Sequence, residues 1–162
     1  MESNSQVNQL IDEAFLSGET ALYLNYLGLK RLPEKLFELT HLTDLSLSGN
    51  ELEILPDDIN RLTNLRALDL AGNLLTELPV TIGNLSQLKH LDLAYNRLKY
   101  LPKTFTQLIH LEYLDCCSNQ LNLLPENLSL HAQLKTLRLS ENELHQVPKT
   151  IGDLRQLMVL DL

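Results

Sequence analysis

Residues 65–87 read LRALDLAGNLLTELPVTIGNLSQ. With few exceptions, four further stretches follow the same 23-residue pattern, LxxLxLxxNxLxxLPxxIxxLxx, and they are 42–64, 88–110, 111–133 and 134–156. The chain contains six prolines, and neighbouring prolines are always 23 residues apart. A fixed period of this length indicates a repeat architecture, in which each unit covers its neighbour instead of surrounding one central core. The pattern therefore argues against a conventional globular enzyme fold.

The composition excludes several classes of protein. Leucine supplies 43 of the 162 residues, and 44% of the residues are hydrophobic against 21% charged, which is enough apolar content for a folded chain. The 13 basic and 21 acidic side chains give a formal net charge of −8, the wrong sign for general binding to nucleic acid or to an anionic membrane. Since no run of 18 apolar residues occurs, we expect no membrane insertion.

Two further features of the sequence concern the compartment. The N-terminus lacks the basic start, long apolar run and small-residue cleavage site of a signal peptide. The only cysteines, Cys116 and Cys117, are adjacent and cannot link distant parts of the chain. Alternation along the chain places Cys116 inward, as a small buried hydrophobic residue, and Cys117 outward. We therefore expect a cytoplasmic protein without a disulfide framework.

Each repeat contains three local signals. The alternation at Leu68, Asp69 and Leu70 is typical of a short strand with one face inward, and strands that recur with a crossover between them run parallel. Asn73 and its equivalents follow, and we expect them to be buried and to bond to backbone groups of neighbouring turns. The Leu-Pro step then predicts an extended residue followed by a short helix, such as residues 57–62.

The LxxLxLxxNxLxxLP pattern resembles the leucine-rich repeat, which the 23-residue period also fits. The length and the LPxxIxxL segment are similar to the intracellular subclass found in Scribble-type and Ras-binding scaffolds and in the repeat arrays of Roco-type GTPases. The resemblance implies an α/β fold, a right-handed solenoid with a curved parallel β-sheet on the concave face and short helices on the convex face. Family members bind proteins on the concave face.

The two ends of the chain depart from the repeat. In residues 1–18, apolar residues fall at helical spacing and predict an N-terminal amphipathic capping helix; they are Val7, Leu10, Ile11, Ala14 and Phe15. The repeat array occupies 19–162, with an irregular first repeat at 19–41, five regular repeats over 42–156 and an incomplete repeat at 157–162. Two interpretations of the last segment stay open: a longer protein, or self-association through an uncapped edge.

Outward-facing strand positions hold the candidate binding residues. The fifth position of successive repeats aligns Asp69, Asp92 and Asp115 at a strand spacing of about 4.8 Å. We expect basic residues of the second position to neutralise these carboxylates; they are Arg66, Lys89 and Lys135. Three interpretations of the column stay open: a solvated face, a site for a basic partner and a divalent-cation site.

Aromatic residues stand beside this column, and they combine a large apolar body with a polar tip, as interface anchors do. The predicted partner-binding patch consists of His90, Asp92, Tyr95, Tyr113, Asp115 and Arg138, with Arg66 and Asp69 beside it. Isolated surface residues without a shared role are the alternative interpretation of the same set.

No motif points to catalysis. The sequence has no GxxxxGK, GxSxG or GxGxxG motif, and its five histidines lack metal-ligand spacing, so we expect no enzyme, no cofactor and no metal site. The leading hypothesis is a non-enzymatic protein–protein interaction module that binds a protein or peptide partner on its concave face. The alternative is a regulatory or sensing arm of a larger multidomain signalling enzyme, such as a Roco-type GTPase.

Overall fold

The computed structural model describes residues 2–162, with side chains from residue 5 onward, and a single parallel sheet runs through it. The strands follow one another in chain order: β1 Ala21–Tyr23, β2 Asp44–Ser46, β3 Ala67–Asp69, β4 His90–Asp92, β5 Tyr113–Asp115, β6 Thr136–Arg138 and β7 Val159–Asp161. Each residue pairs with the one 23 positions further on, as Leu68 does with Leu91. The solenoid fold expected from the repeat is confirmed.

Each strand has three residues, and the central leucine of β1 to β6 is buried in the core. Leu45, Leu68 and Leu91 are at most 2% exposed, whereas their strand neighbours face the concave surface. Leucines from the strand, the turn and the convex side of each repeat form one continuous hydrophobic cluster that extends along the array. Because each repeat contributes only one layer, its apolar face is covered by the repeats on either side.

The turn asparagines form the buried ladder that the sequence predicts. Asn73 is 4% exposed, and its Nδ2 donates to the carbonyl oxygens of Leu47 and Leu70 at 3.0 and 2.9 Å. Its Oδ1 accepts a hydrogen bond from the N–H of Leu52 at 3.1 Å. Asn50, Asn96 and Asn119 repeat this pattern. One side chain thus satisfies backbone groups of two neighbouring repeats, which fixes their spacing.

The convex side carries 3-10 helices: Glu34–Glu38, Asp57–Arg61, Val80–Asn84, Lys103–Gln107, Leu128–Leu130 and Lys149–Asp153. In five of them the repeat proline is the residue directly before the helix, as Pro56 is with φ −71° and ψ 154°, and not the first helical residue. The i→i+3 bond from Ile59 N–H to the Pro56 carbonyl, at 3.1 Å, closes the tight turn.

The convex segment of the fourth regular repeat is shorter than the others. It spans three residues, Leu128–Leu130, and His131 occupies the slot that leucine fills in the neighbouring repeats. The His131 ring is fully buried, and it meets Phe105 edge-on at a centroid distance of 5.2 Å. The replacement of leucine by a polar ring thus accompanies the shortened helix of this repeat.

An α-helix, α1 (Glu2–Ser17), covers the first repeat. Val7, Ile11 and Ala14 are buried against the array, whereas Phe15 is 59% exposed, so its expected place on the packed face is wrong. The face of α1 that contacts the array is narrower than the apolar stripe of the helix. Phe15, which is next to Ala14, therefore lies outside the contact. Lys35 Nζ donates to the Asn8 carbonyl and to Asp12, both at 2.8 Å, and ties α1 to the first convex segment.

The last strand, β7, pairs with β6 only among the described residues. Its central leucine, Leu160, is 44% exposed, whereas the equivalent Leu137 of β6 is fully buried. The two interpretations of this edge stay predictions. In the part of the chain that is described, no helix has the length and apolar character needed to cross a membrane.

Candidate functional site on the concave face

The three aspartates of the fifth-position column are direct neighbours on the sheet. Asp69, Asp92 and Asp115 pair in register across β3, β4 and β5. Each uses Oδ1 to accept a hydrogen bond from the backbone N–H two residues further on, at 3.0, 2.9 and 2.9 Å. These bonds fix the orientation of the side chains and leave each Oδ2 atom for another partner.

Asp115 finds its partners within the chain. It is 4% exposed, and its Oδ2 accepts hydrogen bonds from the Tyr113 hydroxyl at 3.1 Å and from Arg138 Nη1 at 3.2 Å. Arg138 Nε also lies 3.7 Å from a carboxylate oxygen of Asp161. Burial and the Asp115 carboxylate raise the pKa of Tyr113, which keeps its hydroxyl a donor. This end of the predicted patch is therefore a self-paired cluster.

The expected pairing between the second-position lysines and the aspartates is wrong. Lys89 Nζ lies 3.2 Å from Glu112 Oε1, and Lys135 Nζ lies 2.6 Å from Glu112 Oε2. Hydrogen bonds from Lys135 and Lys89 lower the pKa of Glu112 to about 2. Glu112 occupies the second position of the repeat between the two lysines, so both reach it at one strand spacing. Arg66 has no carboxylate oxygen within 4.0 Å among the described side chains.

Asp92 differs from its two neighbours in the column. Asp69 Oδ2 lies 2.6 Å from the Ser46 hydroxyl, which donates to it, whereas Asp92 Oδ2 has no donor within hydrogen-bond distance among the described residues. Burial raises the pKa of Asp92; the N–H of Ala94 lowers it, the Asp115 and Asp69 carboxylates raise it further, and the charge of Arg138 lowers it. Asp92 is thus a half-buried acceptor with one oxygen available on the concave surface.

Aromatic rings stand next to these carboxylates. His90 and Tyr113 stack across β4 and β5, with ring centroids 6.0 Å apart and an interplanar angle of 28°. Tyr95, on the turn after β4, is 66% exposed. The structure therefore places the predicted residues of β4 and β5 on one surface.

The eighth position of the repeats has an unusual backbone. It requires a left-handed φ, between 53° and 66°, in six repeats, at Tyr26, Gly49, Gly72, Tyr95, Ser118 and Glu141. Glycine adopts this conformation without strain, and a bulky aromatic residue does so rarely. Tyr26 is 81% exposed and Tyr95 66%, so neither ring gains much burial in return. Two tyrosines are thus held in a strained backbone while facing solvent.

A groove of about 480 Å³ lies on the N-terminal half of the concave sheet. Three residues of the predicted patch line it with Asp69, namely His90, Asp92 and Tyr113, whereas Arg66, Tyr95, Asp115 and Arg138 lie outside it. Its other polar and aromatic lining residues come from the first two strands and their turn: Tyr23, Asn25, Asp44 and Ser46. The groove is therefore centred nearer the N-terminus than the predicted patch.

Comparison with known families agrees with this architecture. A family model described as leucine rich repeat matches residues 20–75, and one described as leucine-rich repeat region matches residues 57–121. The matched residues, 20–121, contain strands β1 to β5. The chain belongs to the leucine-rich repeat family. A comparison of this leucine-rich repeat chain with curated protein sequences gives no significant match.

Solved structures with the same fold share about a quarter to a third of its sequence. An internalin from Listeria monocytogenes is 26% identical, with a TM-score of 0.79. The match covers 93% of this chain and 43% of the internalin chain. The Arabidopsis receptor kinase HAESA, in complex with the peptide hormone IDA and a co-receptor, is 33% identical with a TM-score of 0.82, over 91% and 26%. A leucine-rich repeat protein of Leptospira interrogans is 27% identical with a TM-score of 0.53, over 93% and 57%. The chain thus spans less than two thirds of each.

The cysteines of the leucine-rich repeat array are both covered. Cys116 is fully buried in a core position, as the sequence predicts, and burial raises its pKa well above the usual value. Cys117 is only 8% exposed, so the expectation of an outward thiol is wrong. Its Sγ lies 3.1 Å from the Ser140 hydroxyl of the next repeat, and burial raises its pKa as well. Within residues 2–162, no cluster of three or more His, Cys, Asp or Glu side chains could hold a metal ion.

Sequence reasoning missed the first two strands as part of the groove. Tyr23 and Ser46 belong to the fifth-position column, so the register of the repeat could have identified them. The left-handed Tyr26 could also have been found, because glycine occupies its equivalents at Gly49 and Gly72. The register also places Glu112 between Lys89 and Lys135 in the second-position column, so this pairing could have been found as well.

Proposed function

We propose that this leucine-rich repeat chain is a non-enzymatic interaction module that binds a protein or peptide partner on its concave face. The observation that carries the proposal is Tyr95, a mostly exposed aromatic residue held at φ 56° in a position where Gly49 and Gly72 avoid strain. Left-handed backbone at a residue with a side chain costs about 1–2 kcal/mol. Strain of this kind gathers at binding sites, where the surrounding structure compensates for it.

The arrangement around Tyr95 supports the same proposal. His90 and Tyr113 present a second aromatic surface on the adjacent strands, and the Asp92 carboxylate has an available oxygen beside them. Interface hot spots combine aromatic anchors with a few fixed polar groups in this way. HAESA, which shares 33% of its sequence with this chain over the matched region, is described in complex with a peptide hormone. A peptide or a folded protein surface is accordingly the proposed partner class.

The test uses a selection from a random dodecapeptide library displayed on phage, with the folded chain as bait. Selected peptides are then measured against Tyr95→Gly and against Tyr100→Ala, a control at a half-exposed tyrosine outside the concave sheet. We expect Tyr95→Gly to weaken binding at least about tenfold, as loss of an aromatic anchor does. Thermal stability should not fall, because the relief of about 1–2 kcal/mol of strain offsets the added flexibility of the unfolded chain. Equal binding by wild type and Tyr95→Gly, with no dependence on any other concave residue, would refute the proposal.

A second candidate function is a regulatory or sensing arm of a larger signalling enzyme of the Roco GTPase type. The match to HAESA favours it, because the matched region makes up only 26% of a longer chain that is described as a receptor kinase. Sequencing the complete transcript tests it: a reading frame that continues beyond Leu162 into a catalytic domain supports this role. A stop codon directly after Leu162 contradicts it.

We also propose that the protein acts in the cytoplasm. The first repeat of the array supports this proposal. The helix α1 covers it and is held to it by hydrogen bonds from Lys35, and no cysteines take part. Imaging of the chain tagged at its C-terminus tests this location. Retention in the secretory pathway, with glycans at the exposed Asn84 or Asn127, would be the contrary result.

A further inference from the structure

The N-terminal half of the concave sheet presents carboxylates without internal counter-ions. The groove there contains Asp44, Asp69 and Asp92, one from each of three adjacent strands. Among the described side chains, no nitrogen of a Lys, Arg or His lies within 4.0 Å of their carboxylate oxygens. The C-terminal half differs, because Arg138 pairs there with both Asp115 and Asp161. None of these three carboxylates therefore forms an ion pair with a described side chain, although the charge of Arg138 acts on Asp92 from a longer distance.

Asp92 is the most available acceptor of the three. Its Oδ1 is held by the Ala94 N–H at 2.9 Å, so the side chain has a fixed orientation, while its Oδ2 has no donor within reach among the described residues. In contrast, Asp69 Oδ2 accepts from Ser46 at 2.6 Å, and Asp44 Oδ2 accepts from the Thr43 hydroxyl at 2.6 Å. A half-buried carboxylate oxygen without a donor is stabilised when a charged donor reaches it.

Arg138 shows how this sheet accommodates a guanidinium group. Its Nη1 donates to Asp115 Oδ2 at 3.2 Å, and the Tyr113 hydroxyl donates to the same oxygen at 3.1 Å. Asp92 lies one strand away from Asp115 in the same column, with the same backbone bond to its Oδ1. Asp92 thus shares the backbone bond of Asp115, but its neighbours in the column are Asp69 and Asp115, and Arg138 donates no hydrogen bond to it.

Aromatic rings form the walls of the groove. Tyr23 is 64% exposed on one side of the carboxylates, and the stacked pair of His90 and Tyr113 stands on the other. A planar guanidinium can stack on such rings while its N–H groups donate to carboxylates. A lysine ammonium is a point charge without this planar fit, so the lining of the groove favours arginine.

We infer that the groove binds an arginine-bearing segment of the protein partner, with the guanidinium donating to Asp92 Oδ2. The inference rests on the proposed function and specifies the chemistry of the partner. The net charge of −8 adds long-range attraction for a basic segment. Weaker binding at higher ionic strength follows, because exposed parts of the contact are screened.

The test uses Asp92→Asn and peptides from the dodecapeptide selection on the wild-type chain. Asparagine keeps an oxygen for the Ala94 N–H, so the fold should be retained, which a thermal melt checks. It replaces the charged acceptor Oδ2 by an NH2 group, which cannot accept from a guanidinium. Asp153→Asn is the matched control, because Asp153 is exposed at the end of a convex 3-10 helix. We expect arginine to be enriched among the selected peptides, and their binding to fall at least about tenfold with Asp92→Asn but not with Asp153→Asn. Replacing the peptide arginine by citrulline should cause a similar loss, since citrulline keeps the shape without the charge.

The outcomes separate this inference from the proposed function. Peptides that require Tyr95 but lack arginine, or that bind Asp92→Asn as well as wild type, would overturn the arginine site and leave the concave interaction surface in place. Peptides that carry acidic or purely apolar segments in the groove would overturn it in the same way. If no selected peptide depends on a concave residue, both the site and the proposed function are wrong.

Discussion

Replacing His131 by leucine should stabilise the protein, and by more in acid than at neutral pH. The His131 ring is fully buried in a leucine slot of the convex side. Its Nδ1 lies 2.9 Å from the Leu108 carbonyl oxygen, which can only accept, so Nδ1 carries a proton. Burial lowers the pKa of the ring and so favours its neutral form. Its Nε2 is then a buried acceptor without a partner.

The magnitude follows from these groups. A buried acceptor without a partner costs about 1–3 kcal/mol, and the lost hydrogen bond of Nδ1 is worth about 1 kcal/mol. The Leu108 carbonyl keeps the Leu111 N–H as a donor at 3.1 Å, so the substitution creates no new unsatisfied group. Leucine fills the same slot in the neighbouring repeats. We therefore expect His131→Leu to raise the free energy of unfolding by about 1–2 kcal/mol near neutral pH.

The pH dependence adds to this difference. Burial lowers the pKa of His131 below the ordinary histidine value of 6.5, and the bond to Leu108 only partly opposes the shift. Above pH 6.5 the ring is neutral in the folded and the unfolded chain and contributes no pH dependence. Below it the unfolded chain binds a proton that the folded chain does not, so wild-type stability falls as the pH drops towards the folded pKa, by up to about 1.4 kcal/mol per unit.

The assay is urea unfolding followed by circular dichroism, for wild type and His131→Leu, near neutral pH and at about pH 5.5. Comparing the two proteins at each pH cancels the titration of all other groups. Leu85→His is the matched control, because Leu85 is fully buried in the equivalent slot of another repeat, and it should lose stability more steeply in acid. The reasoning is refuted if His131→Leu is no more stable than wild type and the difference does not grow in acid.

Three further predictions test other parts of the structure. Asn73→Ala should cost about 3 kcal/mol in urea unfolding, since it removes three buried hydrogen bonds and leaves a backbone N–H without an acceptor; a loss below about 1 kcal/mol would contradict the ladder. Gly49→Ala should cost about 1–2 kcal/mol in the same assay, because φ is 66° and the new Cβ would lie 2.2 Å from the exposed Tyr26 ring, which has to move; unchanged stability would be the contrary result. Cys117 should react slowly with a thiol reagent near neutral pH and faster as the pH rises, because burial raises its pKa, and Cys116 should react only on unfolding; fast labelling of either in the folded chain would contradict this.

The repeat pattern predicts most of the fold because each recurring position of the pattern has one local structural role. Leu68 has to point inward wherever a strand alternates, Asn73 has to bond backbone groups where the chain turns, and Pro79 has to end the extended segment. These structural roles depend on residues at fixed separations in the sequence. They are therefore visible in a single chain without knowledge of its tertiary structure.

The candidate site could be predicted only in part. Position in the repeat places His90, Asp92 and Tyr113 together on one face, as the structure has them. It could not show that Asp115 is already paired with Arg138, or that Asp92 keeps an available oxygen. Partner choice among charged side chains depends on rotamers, burial and distances of a few ångströms, which the repeat pattern does not contain.

The sequence by itself thus determines the solenoid, its period and the face on which variable residues stand, because these follow from backbone geometry and apolar burial. Only the tertiary structure decides which variable residues remain available. Lys89 and Lys135 bind Glu112, and Cys117 is covered by Ser140, because side chains 23 residues apart come into contact once the repeats stack. Charged side chains thus pair across neighbouring strands, at distances that exist only in the folded sheet. The carboxylates of the concave groove around Asp92 have no ion-pair partner among the described side chains.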